Sequence, residues 1–124
     1  MADVAIRGLA KRYGTKVVLS ALDLDLVDGE CFTLLGPSGC GKTVLLRLVA
    51  GFEAPDAGTI HLGGQLVADG TAGQVVPPNE RGLGVVFQDY AVWPHMNVAD
   101  NVGYPLKLAG VDAAMRRERT RAAI

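Results

Sequence analysis

Cysteine is scarce: only Cys31 and Cys40 occur in 124 residues. Two thiols make no disulfide framework, and they read instead as one buried small residue and one loop residue of a chain kept in a reducing compartment. No apolar run approaches the roughly 18 residues that a membrane-spanning helix needs. The N-terminal Met1-Ala2-Asp3-Val4 has no basic stretch leading into an apolar one, so no secretory leader is expected and the chain reads as cytoplasmic. Neither sign of charge dominates, because 12 Lys plus Arg stand against 13 Asp plus Glu for a formal net charge of -1. That balance excludes an overall electrostatic footprint for nucleic acid or an anionic lipid surface, and partners must come from local features. What is present is 49% hydrophobic residues with 16 Gly and 6 Pro, the composition of one globular domain able to bury a core.

From Val4 to Val27 apolar residues alternate, most clearly at Leu22, Leu24 and Leu26 with Asp23 and Asp25 between them, which predicts a half-buried strand. Asp28-Gly29 marks a turn. Cys31-Phe32-Thr33-Leu34-Leu35 is apolar nearly throughout, as expected of a strand covered on both faces. Val44 to Ala50 then predicts a dense apolar helix that Gly51 ends. A short strand at Thr59 to Leu62, a bend at Gly63-Gly64 and a second apolar strand at Leu83 to Phe87 follow. Asn97 has the spacing of an N-cap with Asp100 behind it, and Asp112 caps a last helix rich in Arg.

Between the predicted strand and helix lies Gly36-Pro37-Ser38-Gly39-Cys40-Gly41-Lys42-Thr43, which fits G-x-x-x-x-G-K-[ST] in the setting that this motif requires. Glycines let the backbone close round a polyphosphate while N–H groups at the positive end of a helix aim at its oxygens. Lys42 then reaches the β- and γ-phosphates, and the Thr43 hydroxyl ligates Mg²⁺. A glycine turn with a merely solvated lysine is the alternative, but a cation in the first turn of a helix opposes the dipole unless an anion is present.

With this loop in place, the stretch from Arg7 to Leu108 resembles the N-terminal half of an ABC transporter ATP-binding subunit. The resemblance is carried by Lys11-Arg12-Tyr13-Gly14, by the loop itself, by Leu46 to Glu53 with Pro55-Asp56-Ala57-Gly58, and by Gly84-Val85-Val86-Phe87-Gln88-Asp89-Tyr90. It implies an α/β phosphate-loop nucleoside triphosphatase core, truncated, with an antiparallel β portion from the N-terminal strands and the start of a helical subdomain. Residues 1–88 would form part of the ATP-binding core and residues 89–124 the opening of that subdomain. Tyr13 matches the aromatic that stacks on adenine, with a half-buried loop tyrosine as the alternative. The resemblance also puts Val18, Gly36, Pro37, Ser38, Gly39, Cys40, Gly41, Lys42, Thr43 and Val44 against ATP. Gln88 matches the residue that helps hold Mg²⁺ and the attacking water, so Lys42 and Gln88 are the implied catalytic residues and Thr43 and Gln88 the implied metal ligands.

Tyr90 to Val98 resembles importer ATPases of the sugar, polyamine and ferric-iron type; its exposed-looking apolar side chains suit a docking surface, and the resemblance implies a transmembrane permease as its partner. The alternative packs Trp93 and Met96 into the helical subdomain. A paired ATPase subunit, an external solute-binding protein reached through the permease and a place on the inner face of the cell membrane are implied with it, and nucleic acid is not. Where many members of the family carry a second hydroxyl after the loop, this chain has Val44, which predicts weaker nucleotide binding. Leu62-Gly63-Gly64-Gln65 imitates the family's LSGGQ signature but falls too early and reads as a hairpin turn. The family's four apolar residues followed by Asp-Glu, the pair that by resemblance would hold metal and orient water, occur nowhere in this sequence. The expectation is therefore a truncated subunit: an ABC-type ATPase by family, or a fragment that binds nucleotide without turning it over.

Overall fold

A computed structural model describes residues 3–124, and the backbone divides into two compact units, Met1–Val85 and Val86–Ile124. The alternating run read as one strand is folded double. β1 (Val4–Tyr13) and β2 (Lys16–Leu26) pair antiparallel through Gly14-Thr15, with Tyr13 opposite Lys16 and Val4 opposite Leu26. A single strand over this stretch would run about 80 Å, far longer than a small domain, and doubling it back lets Ile6 and Leu9 enter the core.

β3 (Ala57–Leu62) pairs antiparallel with the other edge of β1, β4 (Gln65–Asp69) with β3, and β5 (Gln74–Val75) with β4, so the strand order is β2-β1-β3-β4-β5. Leu62 faces Gln65 across Gly63-Gly64, which makes Leu62 to Gln65 the corner of a two-residue hairpin, as read from the sequence. β5 escaped that reading because it is only two residues long. It is positioned by Asp69, whose Oδ1 accepts from the N–H groups of Thr71 and Ala72 at 2.9 Å each.

α1 (Lys42–Ala50) presents Leu45 and Leu48, one turn apart, to the core formed by Ile6, Leu9, Ile60, Leu62, Val67 and Ala68. Ile6, Leu9, Leu48 and Ile60 are fully buried, and each such side chain stabilises the fold by roughly 1.5–3 kcal/mol. This packing fixes where α1 begins, and so where the phosphate loop must end.

Two expected strands are absent. Neither Cys31–Leu35 nor Leu83–Phe87 forms a strand or a helix, and Leu35 and Val86 are 88% and 99% exposed. An apolar run records a tendency, whereas a parallel strand exists only through hydrogen bonds to neighbours on its edges. None of the five strands supplies that edge. Cys31, expected to be buried, is exposed, although Leu34 of the same segment packs against the core, and both cysteines are free.

The second unit holds α2 (Val98–Leu108) and α3 (Ala113–Ala123), packed on one another. Both caps are those the sequence predicts. The Asn97 side chain accepts from the Asp100 N–H at 2.8 Å, and Asp112 accepts from the N–H groups of Ala114 and Met115 at 3.0 and 3.1 Å. Among the described residues no helix is long and apolar enough to cross a membrane.

Candidate nucleotide site

Gly41 is the N-cap of α1, with φ 99° and no side chain capping the helix, so the first-turn N–H groups are left for a ligand. A Cβ at Gly41 would lie 3.1 Å from Leu19 Cδ2 and 3.2 Å from the Val18 carbonyl oxygen. The loop thus rests on β2, at a distance and a φ that glycine tolerates. At its other end a Cβ at Gly36 would fall 2.8 Å from Cys40 Sγ, so the loop is also closed upon itself.

Lys42 is curled back into this loop. Its Nζ donates to the carbonyl oxygens of Gly36 at 2.6 Å and Pro37 at 2.8 Å, with Cys40 Sγ at 3.4 Å. Among the described residues no carboxylate pairs with it. An anion in the loop offers this ammonium a stronger partner than two neutral carbonyls.

Tyr13, at the end of β1, is half exposed. Its hydroxyl donates to Glu53 Oε2, and Glu53 Oε1 accepts from Arg47 Nη1 at 3.0 Å. Lys11 Nζ sits 5.5 Å from the Tyr13 ring centroid, tethered by the Ala54 carbonyl oxygen at 2.7 Å. The hydrogen bond to Glu53 raises the Tyr13 pKa above its ordinary value, with burial and the Glu53 charge adding to it. The ring is therefore anchored at its hydroxyl and bordered by a cation, which makes it a low-entropy surface for an aromatic base.

Between the hairpin and the loop lies a cleft of about 560 Å³, walled by Tyr13, Lys16 and Val18 on one side and by Ser38, Gly39, Gly41, Lys42, Thr43 and Val44 on the other. The volume suits a small-molecule ligand. Gly36, Pro37 and Cys40 are not in its walls and hold Lys42 from behind. Val44 faces two ways, lining the cleft and packing against the core. Gln88 belongs to the second unit, where it is exposed in a bend, and the cleft is built wholly from the first. The sequence reading missed Lys16. Its signal was available, because Lys16 and Val18 are two apart on β2 and therefore on one face.

In the second unit Tyr90 and Val92 are exposed, while Trp93 stacks at a tilt on Tyr104 of α2, ring centroids 5.8 Å apart. Asn101 fastens this turn. Its Oδ1 accepts from the Trp93 N–H at 2.7 Å, and its Nδ2 donates to the carbonyl oxygens of Trp93, Met96 and Asn97 at 3.2, 3.1 and 3.0 Å. Neither Asn101 nor its role is suggested by sequence spacing.

A hairpin, a glycine loop opening a helix and the cleft between them define a phosphate-loop nucleotide-binding fold. The family model described as ABC transporter matches residues 19–124, and the chain belongs to that family. The chain is 48% identical over 119 residues to an sn-glycerol-3-phosphate import ATP-binding protein of Rhizobium johnstonii, covering 96% of this chain and 31% of that protein. It is 50% identical over 121 residues to a spermidine/putrescine import ATP-binding protein of Marinobacter nauticus, covering 98% and 31%. With an Fe(3+) ions import ATP-binding protein of Mesorhizobium japonicum it shares 51% over 104 residues, covering 84% and 28%. The chain thus spans about a third of the length of these curated relatives. Among solved structures, a dimeric ATP-binding cassette in a post-hydrolysis state with ADP and Pi superposes with a TM-score of 0.78 at 22% identity, covering 96% of this chain and 54% of that one. At that identity the likeness speaks for the fold.

Proposed function

We propose that this chain forms the nucleotide-binding part of an ATP-hydrolysing subunit of a solute import system, and that the cleft between the hairpin and the phosphate loop receives ATP. The supporting observation is that one cleft gathers Tyr13 and Val18 from the hairpin and Ser38 to Val44 from the loop and α1. Adenine lies on the Tyr13 ring and beside Val18. The triphosphate runs along the loop, where the free N–H groups at the start of α1 receive its oxygens. Lys42 exchanges the carbonyls of Gly36 and Pro37 for the β- and γ-phosphates. The Thr43 hydroxyl at the cleft would suit the hard oxygen preference of Mg²⁺, which would screen phosphate charge there, and the Gln88 side chain offers an oxygen donor of the same kind.

Relatives named for three unrelated cargoes share this chain at 48 to 51% identity, so what they hold in common is the nucleotide chemistry and not a cargo site. The same reading puts the subunit on the cytoplasmic side of a membrane, paired with a second ATPase subunit and docked through Tyr90 to Met96 on a permease served by a solute-binding protein. The almost full exposure of Tyr90 supports that surface. A second reading, a fragment that holds nucleotide without hydrolysing it, is favoured by the lack of strand structure at Cys31–Leu35 and Leu83–Phe87, the segments that lead into the phosphate loop and into Gln88.

Equilibrium dialysis of the purified chain against ATP, with Lys42→Ala beside it, tests the proposal. Saturable binding that weakens at least tenfold in the variant is expected, and no binding by the parent chain overturns both readings. Steady ATP turnover that vanishes in Lys42→Ala would overturn the fragment reading alone.

A further inference from the structure

The cleft contains a second cation that the phosphate-loop motif does not account for. Lys16 opens β2 directly opposite Tyr13 and shares a strand face with Val18, and Val18 lies under Gly41, its Cγ1 3.3 Å from where a Gly41 Cβ would sit. Lys16 is thereby carried to the cleft wall. Among the described residues its ammonium has no ion-pair or side-chain hydrogen-bond partner. The other lysine of the hairpin end behaves differently: Lys11 is tied to the Ala54 carbonyl oxygen and lies 3.6 Å from Asp56 Oδ1. No carboxylate lines the cleft, whereas two lysines, Lys16 and Lys42, do. Two like charges lining one small cavity repel, and an anionic occupant offsets that repulsion.

Resting on the assignment of this cleft to a nucleotide, we infer that Lys16 is a specificity-determining residue that favours the polyphosphate form over the uncharged nucleoside. It stands beside the base platform and contributes a cation on the hairpin side, across from the loop N–H groups. Its flexible stem lets the ammonium follow the phosphates, and as an exposed point charge it acts through Coulomb attraction that salt screens.

The test measures binding of ATP and of adenosine, each at low and high salt, to the parent chain, Lys16→Gln, Lys16→Glu and Lys16→Arg, with circular dichroism to establish equal folding. Lys16→Gln should weaken ATP binding about two- to fivefold at low salt. Lys16→Glu should weaken it further, Lys16→Arg should restore it, adenosine affinity should not move, and the differences should shrink at high salt. Parent-like ATP binding by Lys16→Glu, or equal losses for ATP and adenosine, overturns the inference. If Lys42→Ala abolishes ATP binding while Lys16→Glu does not alter it, the cleft stays a nucleotide site and only the role of Lys16 falls. If the parent binds no ATP, both fall together.

Discussion

Arg81 Nε lies 2.5 Å from the point where a Cβ on Gly51 would stand. The two residues form one device at the C-terminal end of the phosphate-loop helix. Gly51 ends α1 in a left-handed turn, φ 86°, and its lack of a side chain admits the guanidinium. Arg81 then donates to the carbonyl oxygens of Leu48 and Val49 at 2.9 and 2.8 Å, and to those of Val76 and Val67 at 2.8 and 3.1 Å. A cation there also complements the negative end of the helix. Burial lowers the Arg81 pKa from its usual high value, yet the carbonyl dipoles keep the buried charge solvated.

Gly51→Ala is expected to cost about 2–4 kcal/mol, the sum of a left-handed penalty and of overpacking against Arg81. Arg81→Lys should cost roughly 3 kcal/mol, because a single ammonium cannot replace the planar fork and leaves buried carbonyls short. Urea midpoints check both values, and Arg81→Lys at parental stability would contradict the description.

The Tyr13–Glu53 hydrogen bond predicts a pH dependence. The folded-state pKa of Tyr13 is raised above the ordinary 10.0. A raised value means that the bond contributes below the unfolded tyrosine pKa and is lost as pH rises through the folded one. Phenolate absorbance should therefore show a late titration step that Tyr13→Phe deletes and that Glu53→Gln moves down towards the ordinary value. A step unmoved by Glu53→Gln would dissociate it from this contact.

Asn101 makes four hydrogen bonds to the turn that carries Trp93, the chain's one tryptophan. Asn101→Ala should destabilise the α2–α3 unit by about 1–3 kcal/mol and open the Trp93–Tyr104 contact. Tryptophan emission should then shift to the red, with easier quenching by acrylamide. Unchanged emission would show that ring packing holds Trp93 unaided.

Val44→Thr restores a hydroxyl at the cleft wall. The gain of one hydrogen bond to a charged phosphate should tighten ATP binding about three- to tenfold, while the polar group set against the core lowers stability by about 1 kcal/mol. Titration with ATP and a urea midpoint read the two effects separately.

How much of this was legible depended on whether the determinants were local. The turn from Gly36 to Thr43, the end of α1 at Gly51 and the caps at Asn97 and Asp112 are set by residues within one turn of the backbone that they shape, and the sequence reading placed each. Cys31–Leu35 and Leu83–Phe87 were misread because an apolar run says nothing of whether a neighbouring strand is there to pair with it. Lys16 and Arg81 were overlooked for another reason. A lysine or arginine in sequence reads as a solvated side chain, and only three-dimensional placement shows one facing a cleft and the other buried among carbonyls.

Backbone amide NMR of the labelled chain during ATP titration tests most directly whether nucleotide occupies the space between the β1–β2 hairpin and the phosphate loop. Saturable amide shifts at Tyr13, Ser38, Gly39, Gly41, Lys42 and Thr43 are expected, all needing at least tenfold more ATP in Lys42→Ala. Shifts confined to α2 and α3, or a spectrum that ATP leaves unchanged, would contradict that occupancy.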